Sequence, residues 1–491
     1  MRAAAALVAL CALPAAAAAG AEPPWGSAAA RAAASAAGDA PAPFLVLTRP
    51  GGSSAATLAD VCNRSAFAAQ PSADGEAASA QHPSGALGCR LLLGAACRRL
   101  YRTALSGFAG SFRPSALRAL HGCAPGLMAH IELDGLVTRL APAASPPALP
   151  APKGVPWNLD RIDQRDTPLN GMYAPGPSST KGGGVQVFVV DSGIRGTHAE
   201  FADAASGASR AVPGFDFVTD SLPKACADCD GHGTHVAGTV GGASVGVAAN
   251  ATLHCVRVLD CAGNGQMSDV IAALDWVTAL PARPAVAVLS LGVARGDWSA
   301  ALEAAVRGAV QRGGVFVAVA AGNSGGDACA MTPASVPDAF TVGASDLPPR
   351  QRDITAPPSP DGLYSYGDTG TCLDVFAPGT DVLSACGGAN RCANPGDNAY
   401  ARASGTSMAA PHVAGAAALY LSRRPNALPN EVAAALLAAA TPGRLRGSML
   451  PGTPNLLLYA GVAAPVAPPA VAAQAGPPAA FAAFAPANAA Q

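Results

Sequence analysis

Residues 185–193 read Val-Gln-Val-Phe-Val-Val-Asp-Ser-Gly, a near-continuous apolar run that ends on a carboxylate. A run without polar alternation is typical of a strand that is buried on both faces, as in a parallel sheet. Similar runs follow at residues 253–259, 285–291 and 315–320, and helical patterns lie at residues 268–280 and 298–311. The order strand, helix, strand predicts an α/β fold, a doubly wound parallel sheet with helices on both faces.

Three polar residues stand where such a sheet places its chemistry, at the carboxyl ends of strands. Asp191 directly follows the first strand. His232 lies in Gly231-His-Gly-Thr-His-Val-Ala-Gly238, where a Gly-flanked loop enters a helix of small residues. Ser407 lies at a second helix start, in Ser404-Gly-Thr-Ser-Met-Ala-Ala-Pro-His-Val-Ala-Gly415. The chain order Asp, His, Ser matches one of the known orders of a nucleophilic triad.

Each residue type in such a triad has one task. A serine hydroxyl is a weak nucleophile at neutral pH, so an imidazole must remove its proton while a buried carboxylate fixes the tautomer of the imidazole. Ser407 would be the nucleophile, His232 the general base and then acid, and Asp191 the orienting group. Asn323, which follows the strand at 315–320, could direct its amide at the oxyanion together with the backbone N–H of Ser407.

These residues also have ordinary structural interpretations. Taken singly, Asp191 or Ser407 could cap a helix. Another alternative takes His232 with His235 or His198 as metal ligands, but neither an HExxH helix nor a third cluster of ligands accompanies them. The joint occurrence of the three motifs therefore favours the triad.

The three motifs resemble the signatures of the subtilisin-like serine proteases. The matching segments are Asp191-Ser-Gly-Ile, His232-Gly-Thr-His-Val-Ala-Gly-Thr and Gly405-Thr-Ser-Met-Ala-Ala-Pro-His-Val-Ala-Gly. Residues 258–266, 290–292 and 333–346 are most similar to the proteinase K branch of the family, and the resemblance spans residues 155–459. It implies a secreted serine endopeptidase of subtilisin-like fold, with Asp191, His232 and Ser407 as the triad and Asn323 as the oxyanion donor.

The resemblance also implies how a peptide substrate binds. An extended substrate would pair as an added β-strand with two segments of the cleft, Gly263, Asn264, Gly265 and Ser290, Leu291, Gly292. The S1 pocket, which receives the side chain before the cleaved bond, would be lined by Ala320, Ala321, Gly322 and Thr332. Because these side chains are small and neutral, we expect a broad, apolar P1 preference. The sequence shows no acidic cluster of the kind that would predict a kexin-type dibasic specificity.

A Pro/Ala-rich run at residues 141–152 predicts an exposed linker after a front unit. Strand patterns at Phe44–Leu47 and Met128–Asp134 predict a small α+β unit, which is similar to the inhibitor-type propeptide of the family. This similarity implies a zymogen that cleaves itself between Ala141 and Lys153. We therefore expect a signal peptide at 1–20, a propeptide at 21–150, a catalytic domain at 151–460 and a disordered Ala/Pro-rich tail at 461–491.

The chain has 13 cysteines, of which Cys11 lies in the expected signal peptide. Four of the others fall before residue 150, namely Cys62, Cys89, Cys97 and Cys123, and eight fall after it. Even counts in an exported chain argue for disulfides within each unit, although the connectivity stays open. The resemblance implies the pairs Cys229–Cys261, Cys329–Cys372 and Cys386–Cys392, and leaves Cys226 and Cys255 either bonded or free.

A structural calcium ion is a further implication of the resemblance. Members of this branch often bind calcium through one carboxylate and two carbonyl groups, and the corresponding positions are Asp374, Pro337 and Ala339. Oxygen ligands suit a hard cation, which would restrain loops against self-digestion. The resemblance implies no catalytic cofactor.

Composition bounds the partners and the compartment. The 491 residues carry 31 Lys+Arg against 32 Asp+Glu, so the basic excess of a nucleic-acid-binding protein is missing. Arg2, the apolar residues 3–13 and the small residues 15–19 predict a secretory signal. No later stretch reaches the roughly 18 apolar residues of a membrane span. We expect a secreted monomer that acts on proteins or peptides, with its own propeptide as an intramolecular inhibitor.

Two other functions stay open on the sequence alone. A relative that processes itself but keeps its propeptide docked would act mainly as a binding protein. An esterase or amidase acting on small molecules would use the same triad, and would cleave esters without dependence on peptide length.

Overall fold

The structure is a computed structural model that describes residues 23–25, 30–32, 40–49, 97–123, 126–140, 147–175, 180–220, 226–293, 298–389, 392 and 394–461. The expected signal peptide, Cys62, Cys89, the first part of the linker and the tail after residue 461 lie outside the described residues. No described helix is both long and apolar enough to cross a membrane.

The strands are β1 Ala42–Thr48, β2 Cys97–Tyr101, β3 Gly107–Phe112, β4 Met128–Leu133, β5 Leu136–Arg139, β6 Gln186–Asp191, β7 Ala211–Asp216, β8 Thr252–Arg257, β9 Asn264–Gln266, β10 Ala285–Leu289, β11 Leu291–Val293, β12 Val315–Ala320, β13 Phe340–Asp346, β14 Gly362–Leu363, β15 Val375–Pro378, β16 Val382–Ala385, β17 Tyr400–Ala403, β18 Thr441–Pro442 and β19 Leu456–Leu457. The helices are α1 Pro114–Cys123, α2 Trp157–Ile162, α3 His232–Gly241, α4 Met267–Ala279, α5 Ala300–Gln311, α6 Thr406–Leu421 and α7 Pro429–Ala439. Short 3₁₀ helices lie at Ala199–Phe201, Ala328–Ala330 and Pro349–Gln351.

The central sheet has the strand order β18-β19-β15-β13-β12-β10-β6-β8-β7, with β14 paired to β13. From β15 to β7 every neighbouring pair is parallel. Strands β8 and β7 lie on one side of β6, and β10, β12, β13 and β15 lie on the other, which confirms the doubly wound parallel sheet. The order reverses between β6 and β10, where sheets of this kind form their binding crevice.

Successive side chains of β6 enter two different cores, because strand side chains alternate between the faces of a sheet. Val187 and Val189 lie in the core formed with α3 and α6, whereas Phe188 and Val190 lie in the core formed with α4 and α5. Helix α6 consists mostly of small residues and is buried along nearly its whole length. A Cβ on its Gly415 would lie only 2.5 Å from the Cβ of Val247, so the close packing of this helix requires the glycine.

One predicted strand is divided in the structure. The run 285–291 continues as an apolar segment, yet β10 ends at Leu289 and Leu291 begins β11. Strand β11 leaves the central sheet and belongs to a separate three-stranded antiparallel sheet of order β11-β5-β9. Both strands are buried, so hydrophobicity alone does not mark the boundary between them at Ser290.

The front unit is α+β, as its strand patterns predict. Strands β2-β3-β1-β4 form an antiparallel sheet that packs with α1 around Phe44, Phe108 and Ile131. The opposite face of this sheet, which includes Leu45 and Tyr101, packs in one core with α4 and α5. Strand β5 then leads from the front unit into the three-stranded sheet.

Disulfides between described residues join Cys226 to Cys255, Cys229 to Cys261, Cys329 to Cys372 and Cys386 to Cys392. The structure thus contains the three pairs implied by the family resemblance. Cys226 and Cys255, which the sequence left bonded or free, are bonded to each other.

Candidate active site

Asp191 and His232 form a buried pair at the carboxyl end of β6. The Nδ1 atom of His232 lies 2.7 Å and 2.9 Å from the two carboxylate oxygens of Asp191, and both side chains are fully buried. Because a carboxylate only accepts hydrogen bonds, Nδ1 is the donor and carries the proton. The Nε2 atom of His232 is buried and has no hydrogen-bond partner among the described residues. It is therefore placed to accept a proton.

The start of helix α3 fixes the position of His232. The carboxylate of Asp228 accepts hydrogen bonds from the backbone N–H groups of Gly231 and Thr234, at 2.7 and 2.8 Å, and so caps this helix. It also accepts from the hydroxyl of Ser192 at 2.9 Å, next to Asp191. Burial raises the pKa of Asp228 above its usual range. One carboxylate thus ties the helix start to the end of β6.

Ser407 is the second residue of α6, which packs beside α3 on the same face of the central sheet. Its hydroxyl donates to the carbonyl oxygen of Ser290 at 3.1 Å, and the hydroxyl of Ser290 donates to the carbonyl of Ser407 at 3.0 Å. The Ser407 hydroxyl is thus engaged by Ser290 and not by His232. Catalytic hydrogen bonds are often long or absent outside the reacting complex, so this arrangement is compatible with a later bond from Ser407 to His232.

Asn323 presents a donor beside the start of α6. Its Oδ1 accepts from the backbone N–H and the hydroxyl of Thr406, at 2.9 and 3.0 Å. Its Nδ2 is buried and has no hydrogen-bond partner among the described residues. A Cβ on Gly405 would lie 3.1 Å from this Nδ2, and Gly405 has a φ of 137°, so glycine keeps the space in front of the amide open.

Strand β5 lies in the cleft between the two segments that the sequence predicts to bind substrate. Val137 and Thr138 pair with Gly265 and Asn264 on one side, and Thr138 and Arg139 pair with Gly292 and Leu291 on the other. The backbone N–H of Arg139 donates to the carbonyl of Gly263 at 3.0 Å. A chain segment is thus held by both edges of the cleft through its backbone.

Leu140 follows this strand next to Ser407. Its N–H lies 3.4 Å from the carbonyl oxygen of Ser290, the same oxygen that accepts from the Ser407 hydroxyl. Its half-buried side chain packs against the two apolar clusters that contain Ala320 and Ala321. Thr332 contributes a carbonyl that accepts from Val293 at 3.0 Å and extends the β11 edge.

The residues that the sequence singled out for catalysis therefore form two groups, Asp191 with His232 at the end of β6, and Ser407 with Asn323 at the start of α6. A scan against protein families matches residues 182–461 to the subtilase family. The chain belongs to the subtilase family. It is a serine endopeptidase of that family.

This subtilase is similar to several extracellular and fungal proteases. It is 44% identical over 368 residues to an extracellular serine proteinase of Thermus sp. (strain Rt41A), covering 75% of this chain and 78% of that protein. It is 36% identical over 368 residues to a cuticle-degrading serine protease of Arthrobotrys oligospora, covering 74% and 80%. Among solved structures, a cold-adapted subtilisin-like serine proteinase matches with a TM-score of 0.53 and 42% identity, covering 63% of this chain and 99% of that one.

The other histidines of the motifs are engaged elsewhere in this subtilase. His235 Nε2 lies 3.0 Å from the carbonyl oxygen of Val382, and His198 Nε2 lies 2.8 Å from that of Ala399. Within the described part of the chain, no group of three or more His, Cys, Asp or Glu side chains is arranged to hold a metal. The geometry does not favour the alternative in which these histidines are metal ligands.

The expected calcium position contains one half-buried carboxylate. Asp374 Oδ2 accepts from the backbone N–H of Thr341 at 2.6 Å, and its own N–H donates to the Thr341 carbonyl at 2.9 Å. Thr341 lies two residues after Ala339 and four after Pro337. Burial raises the pKa of Asp374 to about 6. A cation beside this desolvated carboxylate would favour its charged form.

Sequence analysis missed several residues of this site. Asp228 is one, although an Asp shortly before a Gly-flanked helix start is a recognisable capping signal. Another is Asp368, which accepts from Ser324 and Gly326 and holds the loop that carries Asn323. Leu140 is a third, because nothing in its surroundings along the chain marks a residue that binds in a distant cleft.

Proposed function

We propose that this subtilase is a secreted serine endopeptidase that hydrolyses peptide bonds through an acyl-enzyme. The observation that carries the proposal is the buried Asp191–His232 pair, in which the Nε2 of His232 has no partner among the described residues. The helix that begins at His232 packs against the helix whose second residue is Ser407. In the first step, Nε2 of His232 takes the hydroxyl proton of Ser407 while the serine oxygen attacks the substrate carbonyl. The charged Asp191 stabilises the resulting imidazolium.

The oxyanion that forms would accept hydrogen bonds from Nδ2 of Asn323 and from the backbone N–H of Ser407. His232 then gives its proton to the leaving amine, which frees the product with the new N-terminus. Water then attacks the acyl-enzyme while His232 takes its proton. His232 returns this proton to the oxygen of Ser407 as the acid product leaves. Donors that are already in place cost no reorganisation when charge develops, which is the reason such sites accelerate acyl transfer.

Substrate would bind as β5 does, between β9 and β11, through backbone hydrogen bonds that are indifferent to side chains. The residue in the position of Leu140 would enter the S1 pocket. Because the clusters against which Leu140 packs are apolar, the P1 preference would be broad and apolar. The substrates would be proteins or peptides, and the enzyme would act as a monomer.

The front unit would be the propeptide of a zymogen. Its last strand occupies the cleft, and Leu140 shares the Ser290 carbonyl with Ser407, so the bond between Leu140 and Ala141 is our proposed site of self-cleavage. This bond directly precedes the interval expected from the sequence. The segment after it would stay with the catalytic unit, because Leu149 and Tyr400 exchange backbone hydrogen bonds of 2.7 and 3.0 Å.

Comparison of the secreted wild-type chain with Ser407→Ala tests this function. Wild type should lose its front fragment, begin a new N-terminus at Ala141, react with a fluorophosphonate probe and digest casein. Ser407→Ala should stay full length and unlabelled, and Asn323→Ala should process about 10²- to 10³-fold more slowly. A wild-type protein that is cleaved but neither labels nor digests casein would instead support the binding protein with a retained propeptide.

Esterase activity on small molecules is separated from endopeptidase activity by substrate length. Peptide substrates long enough to include a residue in the position of Val137 should be cleaved much faster than an ester of a single amino acid. Only the longer substrates pair with β9 and β11. Equal rates on both would contradict the peptidase.

Calcium is our proposed structural cation at Asp374, with the carbonyls of Pro337 and Ala339 as further ligands. The folded-state pKa of about 6 lies above the ordinary value of 3.8, so without a cation this group contributes stability at low pH that is lost as pH rises through about 6. The gain in Tm on adding calcium should therefore increase across that range. Asp374→Asn should remove the gain, and an equal gain in both proteins would contradict the site.

A further inference from the structure

Arg139 lies one residue before Leu140 and is nearly buried, with its side chain 7% exposed. Its Nη1 lies 3.2 Å from Oδ2 of Asp230, whose side chain is completely buried. The same Nη1 donates to the carbonyl oxygen of Ala262 at 3.0 Å. A strand of the front unit therefore places a guanidinium against a buried carboxylate of the catalytic unit.

The opposite side of the guanidinium is bounded by Gly263. A Cβ on this glycine would overlap the side chain of Arg139, and its φ of 77° is in the region that favours glycine. The space next to β9 is thus shaped for a long side chain that lies flat over the backbone and ends at Asp230.

Asp230 is held in place by the start of α3. Its Oδ1 accepts from the backbone N–H of His232 at 3.2 Å, which leaves Oδ2 directed at Arg139. The side chain of Asp230 is shielded from water, so solvent cannot compensate the charge of its carboxylate. A cation at hydrogen-bond distance supplies that compensation. A substrate that replaces β5 would bring its own side chain to this position.

We propose that Asp230 makes the S2 subsite acidic, so that the enzyme selects peptides with arginine or lysine at P2 and an apolar residue at P1. The proposal rests on the function proposed above, since it assumes that substrates bind as β5 does. It adds a side-chain preference to the backbone pairing with β9 and β11, which is indifferent to side chains. It also differs from dibasic specificity, because the cation is read at P2 alone while the pocket around Leu140 is apolar.

Four fluorogenic peptides test the proposal, each reading Leu-Val-Thr-X-Leu before the reporter amide, with X as arginine, citrulline, alanine or glutamate. Citrulline keeps the length and most donors of arginine but carries no charge. On the processed wild-type enzyme, kcat/KM should be at least about tenfold higher for arginine than for citrulline, and lowest for glutamate. Asp230→Asn should bring the ratio of arginine to citrulline close to one.

Asp353→Asn is the matched control, because it removes the same charge from a fully exposed turn. It should keep the wild-type ratio. A wild-type ratio near one, or a ratio that survives in Asp230→Asn, would overturn the S2 assignment while the peptidase itself stands. Failure of the wild-type enzyme to cleave any of the four peptides would overturn both proposals.

Discussion

The front unit touches the catalytic unit on two surfaces that differ in kind. In the cleft, β5 is held mainly by backbone hydrogen bonds to β9 and β11. On the second surface, which we call the helix contact, the sheet of the front unit lies on α4 and α5. This contact combines a shared apolar core with charged side chains that meet helix ends and buried carboxylates.

The helix contact uses two acidic side chains as helix caps. Glu132 accepts from the backbone N–H of Ala300 at 3.1 Å and from the hydroxyl of Ser299 at 2.5 Å, at the start of α5. Asp134 accepts from the backbone N–H of Ser268 at 2.8 Å, at the start of α4. Negative charge at a helix N-terminus is stabilising, so each unit completes the other.

Helix α4 contributes two carboxylates to the helix contact. Asp269 receives the guanidinium of Arg99, with Nε at 2.8 Å from Oδ1. Asp275 accepts from the backbone N–H groups of Thr103 and Ala104, both at 2.7 Å. These contacts depend on the particular side chains, whereas any extended peptide could replace the backbone pairing of β5.

We propose that the two surfaces have different roles in inhibition by the front unit. A substrate competes with β5 for the cleft but makes none of the contacts on α4 and α5. After self-cleavage, the helix contact would therefore keep the front fragment bound and its end in the cleft. Release would be controlled from a surface that no substrate occupies.

Arg99→Ala should give the largest loss of affinity between front fragment and enzyme. It removes the main partner of Asp269, which is 4% exposed, and leaves that carboxylate with Arg98, which is 41% exposed. Removal of one member of a buried pair costs about 3–5 kcal/mol, so the inhibition constant should rise by roughly 10²- to 4 × 10³-fold. Dilution of the processed complex, with recovery of activity as the readout, measures it.

Arg98→Ala is the control for that experiment. It deletes an exposed member of the same group and should cost no more than about 1 kcal/mol. Equal effects of the two substitutions would show that the helix contact does not depend on the buried pair.

Leu140→Asp should act on the cleft instead. A carboxylate would enter the apolar S1 pocket, where it loses solvation without a partner of opposite charge, so self-cleavage should slow by roughly 10- to 100-fold. Gel analysis of processing over time measures the rate. Leu140→Met, which keeps the volume and the apolar character, should process close to the wild-type rate, and slow processing of that variant would contradict an apolar S1 pocket.

Glu132→Gln should have a smaller effect on the helix contact. The amide keeps one acceptor for the N–H groups of α5 but loses the charge at the helix start, which is worth about 0.3–1 kcal/mol. The inhibition constant should rise severalfold at most, and the rate of self-cleavage should not change. A change in cleavage rate without weaker binding would argue that the two surfaces are not independent.

The pH dependence of binding should be the weakest effect. Burial raises the pKa of Asp134 and of Asp269 above the ordinary 3.8, so the contribution of these groups to the bound state is present at low pH and is lost as pH rises above that value. The front fragment should bind less tightly as the pH rises above 3.8, measured as its inhibition constant across a pH series. Asp134→Asn should flatten the profile, and tighter binding at higher pH would contradict the assignment.

The sequence predicted the central sheet because its strands are buried on both faces and follow one another with helices between them. The run at 315–320 became β12 with the same bounds, and the pattern at 268–280 became α4 within one residue at each end. The run at 285–291 did not become one strand. Its residues are equally apolar before and after Ser290, so only pairing with β5 decides where β10 stops.

The four catalytic candidates could be named from the sequence because each lies in a local motif with its own glycines and small residues. Asp230, Arg139 and Leu140 could not. Asp230 stands beside His232 in the chain, yet its task depends on a side chain 91 positions away. Leu140 is a leucine at an ordinary strand end, and only its position in the folded cleft makes it the candidate P1 residue.

The sequence by itself determined the α/β sheet and the three motifs, because apolar periodicity and short-range turn chemistry are local properties of a chain. The tertiary structure decided which backbone segments face β5, which carboxylate meets Arg139 and which helix ends the front unit caps. Those contacts join residues that are distant in the chain, and their energies depend on burial and on distances of about 3 Å. Neither quantity exists until the chain has folded.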